Sequence, residues 1–305
     1  MNPTMIAFGF AVGLLVGITG TGGGSVMTPL LVVLFGINPA TAIGTDIAYS
    51  AVEKSIGGVR QYRAGNVDRQ LSTRMAFGSV PAAVIGVITL KYLERHLGSD
   101  FETVIFTLLA AALLLSGAAL LARILISSRA DEHDTIELTG ARTAQAVLLG
   151  VCVGFVIGLT SAGSGALIAV GLIIWFRLKP PKVVGTDLFH ASIVLWAAAI
   201  AHVFAGDIDY ALAGTLLLGA IPGILLSTQL SLRAPQGALR AALTVVLLGA
   251  GLGMLTKAGV AIPSAALAVA PVIVIGLVAG AVVKAGGEKR ARGRSQPLRQ
   301  VHVNG

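Results

Sequence analysis

The triplet Gly44-Thr45-Asp46 recurs as Gly185-Thr186-Asp187, each time inside a stretch dominated by Ala, Ile, Val and Leu. A carboxylate is expensive in such surroundings, so an aspartate there caps a helix end, serves a site, or does both. A helix running on from Asp46 puts Ser50, Glu53 and Gly57 on one face, with Lys54 about a quarter-turn away. Running on from Asp187, it brings in His190 one turn later and His202 near its far end. Carboxyls removed from water bind protons more readily, and imidazoles titrate near neutrality. Asp46, Asp187 and His190 are therefore the candidates for proton coupling. Lys54, supported by Arg60, is the candidate for attracting an anion, the alternative being an ion pair with Glu53 or Asp46.

Upstream of each triplet lies a glycine cluster, Gly17-Ile-Thr-Gly-Thr-Gly-Gly-Gly-Ser25 and Gly158-Leu-Thr-Ser-Ala-Gly-Ser-Gly165. Glycine costs a helix interior about 1 kcal/mol relative to alanine. A broken helix at membrane depth survives only in protein or beside a wet cavity. A helix restarting at Ser25, or near Gly165, would aim free amides and its positive dipole end at that cavity, as an anion requires. The candidate substrate-binding groups are accordingly Gly22, Gly23, Gly24 and Ser25 with Gly163, Ser164 and Gly165, joined by Thr45, Thr186 and Lys54. The competing role for glycine is close helix packing, which suits Gly9, Gly13 and Gly17 at spacing four. No Gly-Lys-Ser/Thr ending follows the cluster, no HExxH occurs, and the lone Cys152 forms no metal or redox pair, so no cofactor or metal is expected.

These residues belong to a duplication. Gly9–Pro81 aligns with Gly150–Pro222 without a gap, pairing Thr19/Thr160, Gly22/Gly163, Gly24/Gly165, Pro39/Pro180, Gly65/Gly206, Asp68/Asp209 and Pro81/Pro222. Shared apolar bias explains matched Leu and Ala, but not matched Asp and Pro. The connection from Arg60 to Arg74 carries four arginines, whereas its counterpart, Phe204 to Tyr210, carries Asp207 and Asp209 and no base. By the positive-inside rule these loops face opposite sides, so the repeats are inverted and each half crosses an odd number of times. Five segments per half satisfy this: Met5–Thr19, Ser25–Phe35, Ala40–Val59, Met75–Leu93 and Phe101–Arg123, repeating from Thr143. Whether the short segments after the glycine clusters span or re-enter stays open.

With 55% hydrophobic and 12% charged residues, the chain has a composition suited to lipid rather than water. Its net charge of +8 owes much to a basic tail after the last apolar segment, which reads as a cytoplasmic anchor on anionic lipid rather than a nucleic-acid arm. The expected fold is an all-α polytopic membrane protein with two inverted repeats and about 8–10 membrane segments, some broken by glycine. The expected divisions are a first repeat over 1–124, a polar cytoplasmic linker over 125–142, a second repeat over 143–263, a further membrane helix over 264–284 and a basic cytoplasmic tail over 285–305.

The order Gly-Gly-Gly then Pro29, Ala-Ile-Gly44-Thr45, and Arg-Ala-Gly65-Asn66-Val67-Asp68 resembles the sulfite exporter TauE/SafE family over about Phe8 to Val283. The second copy is looser, with Ser164 for the middle glycine, Val170 at the place of Pro29, and Gly206-Asp-Ile-Asp209. The resemblance implies transport of a small oxyanion such as sulfite or a sulfonate, without a cofactor. Family members commonly have Ser after Gly-Thr; Asp46 and Asp187 depart from this and favour proton coupling. The resulting expectation is a secondary transporter in a bacterial inner membrane. Its partners are a small anion, protons and lipids, and its oligomeric state is left open. The alternatives are a passive anion channel and an intramembrane enzyme acting on a lipid or quinone.

Overall fold

The computed structural model describes residues 3–19, 24–126, 133, 136, 138–163, 165–231, 236–261, 263 and 276, with backbone alone for 16–19, 24–25, 123–126, 228–231 and 236–241. Among them are ten α-helices and no strand, so the chain is an all-helical polytopic membrane protein. The helices of the first half are α1 (Pro3–Thr19), α2 (Gly24–Phe35), α3 (Pro39–Arg63), α4 (Arg69–Leu97) and α5 (Phe101–Ile126). Those of the second are α6 (Gly140–Thr160), α7 (Ala166–Ile174), α8 (Pro180–Ala205), α9 (Tyr210–Ser231) and α10 (Gln236–Lys257). The expected helix over 264–284, and most of the linker, lie outside the described residues.

Local signals set the boundaries. Pro39 and Pro180 begin α3 and α8 in the first turn, where a missing N–H costs nothing. Asn38 Oδ1 accepts from Ala40 N at 2.9 Å as the cap. Asp68 and Asp209 head α4 and α9, accepting from Leu71 N at 3.0 Å and Leu212 N at 2.9 Å. Capping thus falls to this second repeated aspartate pair. Asp46 and Asp187 lie two turns inside their helices, and the capping role open to them on sequence is not what they do.

The sense of each helix follows from close approaches. A Cβ on Gly150, Gly154 or Gly158 of α6 would overlap the backbone of Met75, Ser79 or Ala83 on α4, so these helices run parallel. Gly9 and Gly13 of α1 meet Leu216 and Ala220 of α9 in the same way. The central pair α3 and α8 is antiparallel: Gly44 abuts Asp207, Ser55 meets Trp196, and Gly185 abuts Asn66. Helix α1 on α9 is the counterpart of α6 on α4, and the twofold exchanging antiparallel α3 with α8 must lie across both helices. That axis lies in the membrane plane, which makes the repeats inverted.

Stretches 69–122, 140–160, 180–205 and 210–227 are long and apolar enough to cross a bilayer. At about 1.5 Å per residue, α2 and α7 reach only about 18 and 14 Å, less than a hydrocarbon core of about 30 Å. They are half-helices returning from a break, which answers the question left open on sequence. Helix α3 is long but not apolar, because it carries Asp46, Glu53 and Lys54, all buried by its neighbours.

Candidate functional site

The break in the second repeat is built from positive φ angles: Ser161 at 58°, Gly163 at 104° and Gly165 at 109°. The two glycines adopt these without steric penalty, whereas Ser161 is strained by its Cβ. What the serine supplies is a hydroxyl, placed 2.5 Å from Asp46 Oδ2. Asp46 lies fully buried between α2, α3 and the α6–α7 break. Its Oδ2 also accepts from Thr28 Oγ1 at 2.6 Å and Thr28 N at 3.2 Å, and its Oδ1 accepts from Ser50 Oγ at 3.0 Å. Thr28 N is the fifth amide of α2, just past the free amides expected to await an anion. The structure meets that amide with the protein's own carboxylate.

The Gly-Thr parts of the triplets have a different task. Gly44 and Gly185 let α3 and α8 touch the turns before α9 and α4, and the adjacent hydroxyls hold those turns. Thr45 Oγ1 accepts from Asp209 N, and Thr186 Oγ1 from Asp68 N, each at 3.0 Å. Both threonines, expected to line a substrate site, use their hydroxyl oxygens to accept from the turn of the opposite repeat.

Nor do the two aspartates meet. Trp196 Nε1 donates to Ser55 Oγ at 2.9 Å, and these two hold equivalent positions, so the twofold passes beside them. Lys54, one residue away, sits at the centre of the molecule. Asp46 lies about 14 Å along α3 toward the Asp207 turn, and Asp187 a similar distance along α8 toward the Asn66 turn. The pattern is one central lysine with a buried aspartate on either side.

Lys54 is 0% exposed, and its Nζ has no hydrogen-bond partner among the described residues. The ion pair with Asp46 open on sequence is absent, since that carboxyl is taken by hydroxyls. His190 on α8 is also fully buried, and its Nε2 is 2.9 Å from Ser79 Oγ on α4. Asp187 lies one turn before His190 and is buried. Arg60 is exposed at the far end of α3 and does not join Lys54.

A family model described as Sulfite exporter TauE/SafE matches residues 5–254. The chain belongs to the TauE/SafE family. Among its relatives is Probable membrane transporter protein YjnA of Bacillus subtilis, 37% identical over 257 residues, covering 84% of this chain and 100% of the relative. Probable membrane transporter protein YdhB of the same organism is 26% identical over 246 residues, 81% of this chain and 97% of that one. Probable membrane transporter protein MJ0441 of Methanocaldococcus jannaschii is 28% identical over 171 residues, 54% of this chain and 59% of that one. No solved structure matches the chain. It is accordingly a multi-pass membrane transporter.

Of the candidate residues in this TauE/SafE transporter, Gly22, Gly23 and Ser164 lie outside the described residues, and Gly24 and Ser25 are seen as the backbone opening α2. Gly163 and Gly165 shape the break. Thr28, Ser79 and Ser161 were not singled out for a role in the site. A signal for Ser161 existed: the repeat alignment sets it against Gly20, so a serine occupies a place where a break prefers glycine.

Proposed function

We propose that the chain is a proton-coupled secondary transporter of a small anion: sulfite, an organosulfonate, or a related sulfur-containing or carboxylate anion. The observation that carries this reading is Lys54, a fully buried amine at the centre of the inverted repeat whose Nζ has no hydrogen-bond partner among the described residues. A lone buried charge destabilises a protein by several kcal/mol, and a compact anion arriving beside it offsets that. The chemistry around Lys54 favours a small oxyanion, since its amine and one hydrogen from the bonded Ser79–His190 pair can donate to oxygen. Gly22, Gly23, Gly24 and Ser25 of the first repeat, with Gly163, Ser164 and Gly165 of the second, are assigned to receive it.

Coupling is assigned to Asp46 and Asp187, with His190 as the relay beside the second. Each carboxyl lies toward one face, so alternating access by rocking residues 1–124 against 143–263 exposes one station at a time. By charge the Arg60–Arg74 connection is cytoplasmic and the Asp207 turn external. The linker 125–142 and the tail 285–305, led in by a helix over 264–284, are then cytoplasmic in a bacterial inner membrane.

The test is counterflow of labelled sulfite in proteoliposomes with internal pH recorded. Flux that shifts internal pH is expected for the native chain, flux without the shift for Asp46→Asn, and at least a tenfold loss for Lys54→Gln. Flux that ignores pH in the native chain would make it a passive anion channel. Silence toward sulfite, sulfonates and small carboxylates in a folded preparation would sink the reading.

A further inference from the structure

Three oxygens from two repeats form a closed triangle at the break. Asp46 Oδ2 and Thr28 Oγ1 are 2.6 Å apart, Asp46 Oδ2 and Ser161 Oγ 2.5 Å, and Thr28 Oγ1 and Ser161 Oγ 2.9 Å. Every edge is a hydrogen-bond distance, and a hydrogen bond needs a hydrogen on it. The two hydroxyls contribute one each. Three edges therefore need one hydrogen more than Thr28 and Ser161 possess; a further bond that the Ser161 hydroxyl accepts adds no hydrogen to any edge, and one that it donates takes one away. The remaining member that can bring one is the carboxyl. With a proton on Asp46 the ring closes in one direction: the carboxyl O–H donates to Ser161, Ser161 to Thr28, and Thr28 to Asp46. Ser50 and Thr28 N donate to the carboxyl from outside the ring.

We propose that Asp46 holds a proton in this three-oxygen ring, that the ring latches the second repeat's break to α2 and α3 of the first, and that losing the proton opens it. The inference rests on the transporter reading and deepens it by naming the latch. In the release step the carboxyl O–H bond breaks, the proton passes to water at the Asp207 face, and a carboxylate stays behind. Both hydroxyls then turn to that carboxylate, and the Thr28–Ser161 edge is left as two oxygens facing without a hydrogen. That edge spans the repeats, so the repulsion falls where the halves must part.

Two observations make the latch specific to one face. Ser161 keeps a left-handed backbone at φ 58°, a conformation glycine would adopt more easily, so the hydroxyl is what the position gains. The positions equivalent to Thr28, Ser50 and Ser161 around Asp187 are Ala169, Ala191 and Gly20, none with a hydroxyl. The titratable groups on the ring's side of the molecule are Tyr49, Glu53 and Lys54 on α3, His202 on α8 beside Asp207, Lys91 on α4 paired with Asp207, and Asp207 and Asp209 in the turn before α9. The described side chains of α2 contribute none, those of α5 only Glu102, and those of α6 Arg142 at its start and the exposed thiol of Cys152.

Infrared difference spectra of the full chain in lipid nanodiscs, titrated upward in pH without substrate, test this directly. A protonated-carboxyl C=O band is expected that disappears on titration and is absent in Asp46→Asn. It should move to higher wavenumber in Ser161→Gly, which removes the hydroxyl while easing the backbone and so keeps the fold. In a Cys152→Ala background, thiol labelling of Ile43→Cys, buried beside the ring, should rise along the same titration and lose its pH dependence in Ser161→Gly. A band untouched by Asp46→Asn, or indifferent to Ser161→Gly, overturns the proposal even if sulfite counterflow is found. A band behaving as described in a protein that moves no anion keeps the ring and fails the transporter reading instead.

Discussion

On the proposed reading, Lys54 is kept for work and the two triplet threonines for shape. A buried ammonium lowers stability unless something fills its coordination. Replacing it with the nearly isosteric Met should therefore raise the melting temperature of the detergent-solubilised protein by several degrees while reducing counterflow at least tenfold. A melting temperature that falls would show that Lys54 is structural. Thr45→Val and Thr186→Val should behave in the opposite sense. Thr186→Val strands the buried N–H of Asp68, which costs about 1–3 kcal/mol, and Thr45→Val the part-buried N–H of Asp209, which costs less. Melting should drop, while transport per folded molecule and its substrate dependence should persist. The triplets were conspicuous in the sequence because they recur, but recurrence does not distinguish a clasp from a site. The division of labour between threonine and aspartate became readable only with the turns of the opposite repeat in place. The prolines at 39 and 180 did carry the information that both aspartates lie inside helices and not at their starts.

Between elements, two kinds of seam hold the halves together. The parallel seams α1–α9 and α4–α6 are glycine-lined, and helices without a hydrophobic driving force in lipid associate through such close backbone contact. Gly154→Ala puts a methyl into the Ser79 backbone and should abolish folded yield, whereas Gly249→Ala, whose Cβ meets nothing within 4 Å, should be neutral in size-exclusion and melting assays. The seam at the acidic turn is ionic. Lys91 Nζ of the first repeat contacts Asp207 Oδ1 at 2.6 Å and Glu94 Oε2 at 2.7 Å, while His202 Nδ1 lies 3.2 Å from Asp207 Oδ2. The equivalent pair at the basic turn is neutral, with Asn66 Nδ2 donating to Gln61 Oε1 at 2.8 Å. Burial alone would raise the Asp207 carboxyl, but the hydrogen bonds from His202 and Lys91 outweigh it and hold the group below its ordinary value of 3.8. A depressed carboxyl contributes stability above its unfolded value and loses it as pH falls through the folded one. Asp207→Asn should thus lower the melting temperature at neutral pH, with the deficit against the native chain closing as pH drops below about 4. A deficit independent of pH would mean the pair is held by shape and not by charge.

At the scale of the whole molecule the question is how two halves of one sequence pattern come to face opposite ways. The matched glycines, prolines and aspartates made the duplication legible, and the uneven arginines made its inversion legible. The antiparallel α3–α8 pair supplies the independent physical reason, since a twofold relating antiparallel central helices can only lie across them. The separation of the aspartates was not legible, because an alignment of repeats says which residues are equivalent and nothing about how far the symmetry carries them apart. Inversion with five segments per half has a consequence that labelling can check. Ala64 and Ala211 are exposed, at the end of α3 and the start of α9. In a Cys152→Ala background, Ala64→Cys should react with a membrane-impermeant thiol reagent only after the membrane is opened from the cytoplasmic side, and Ala211→Cys in intact spheroplasts. Labelling of both from one side would mean that α3 and α8 enter from the same face. The Asp46 and Asp187 stations would then face one compartment, and no rocking of the halves could carry a proton from one side to the other.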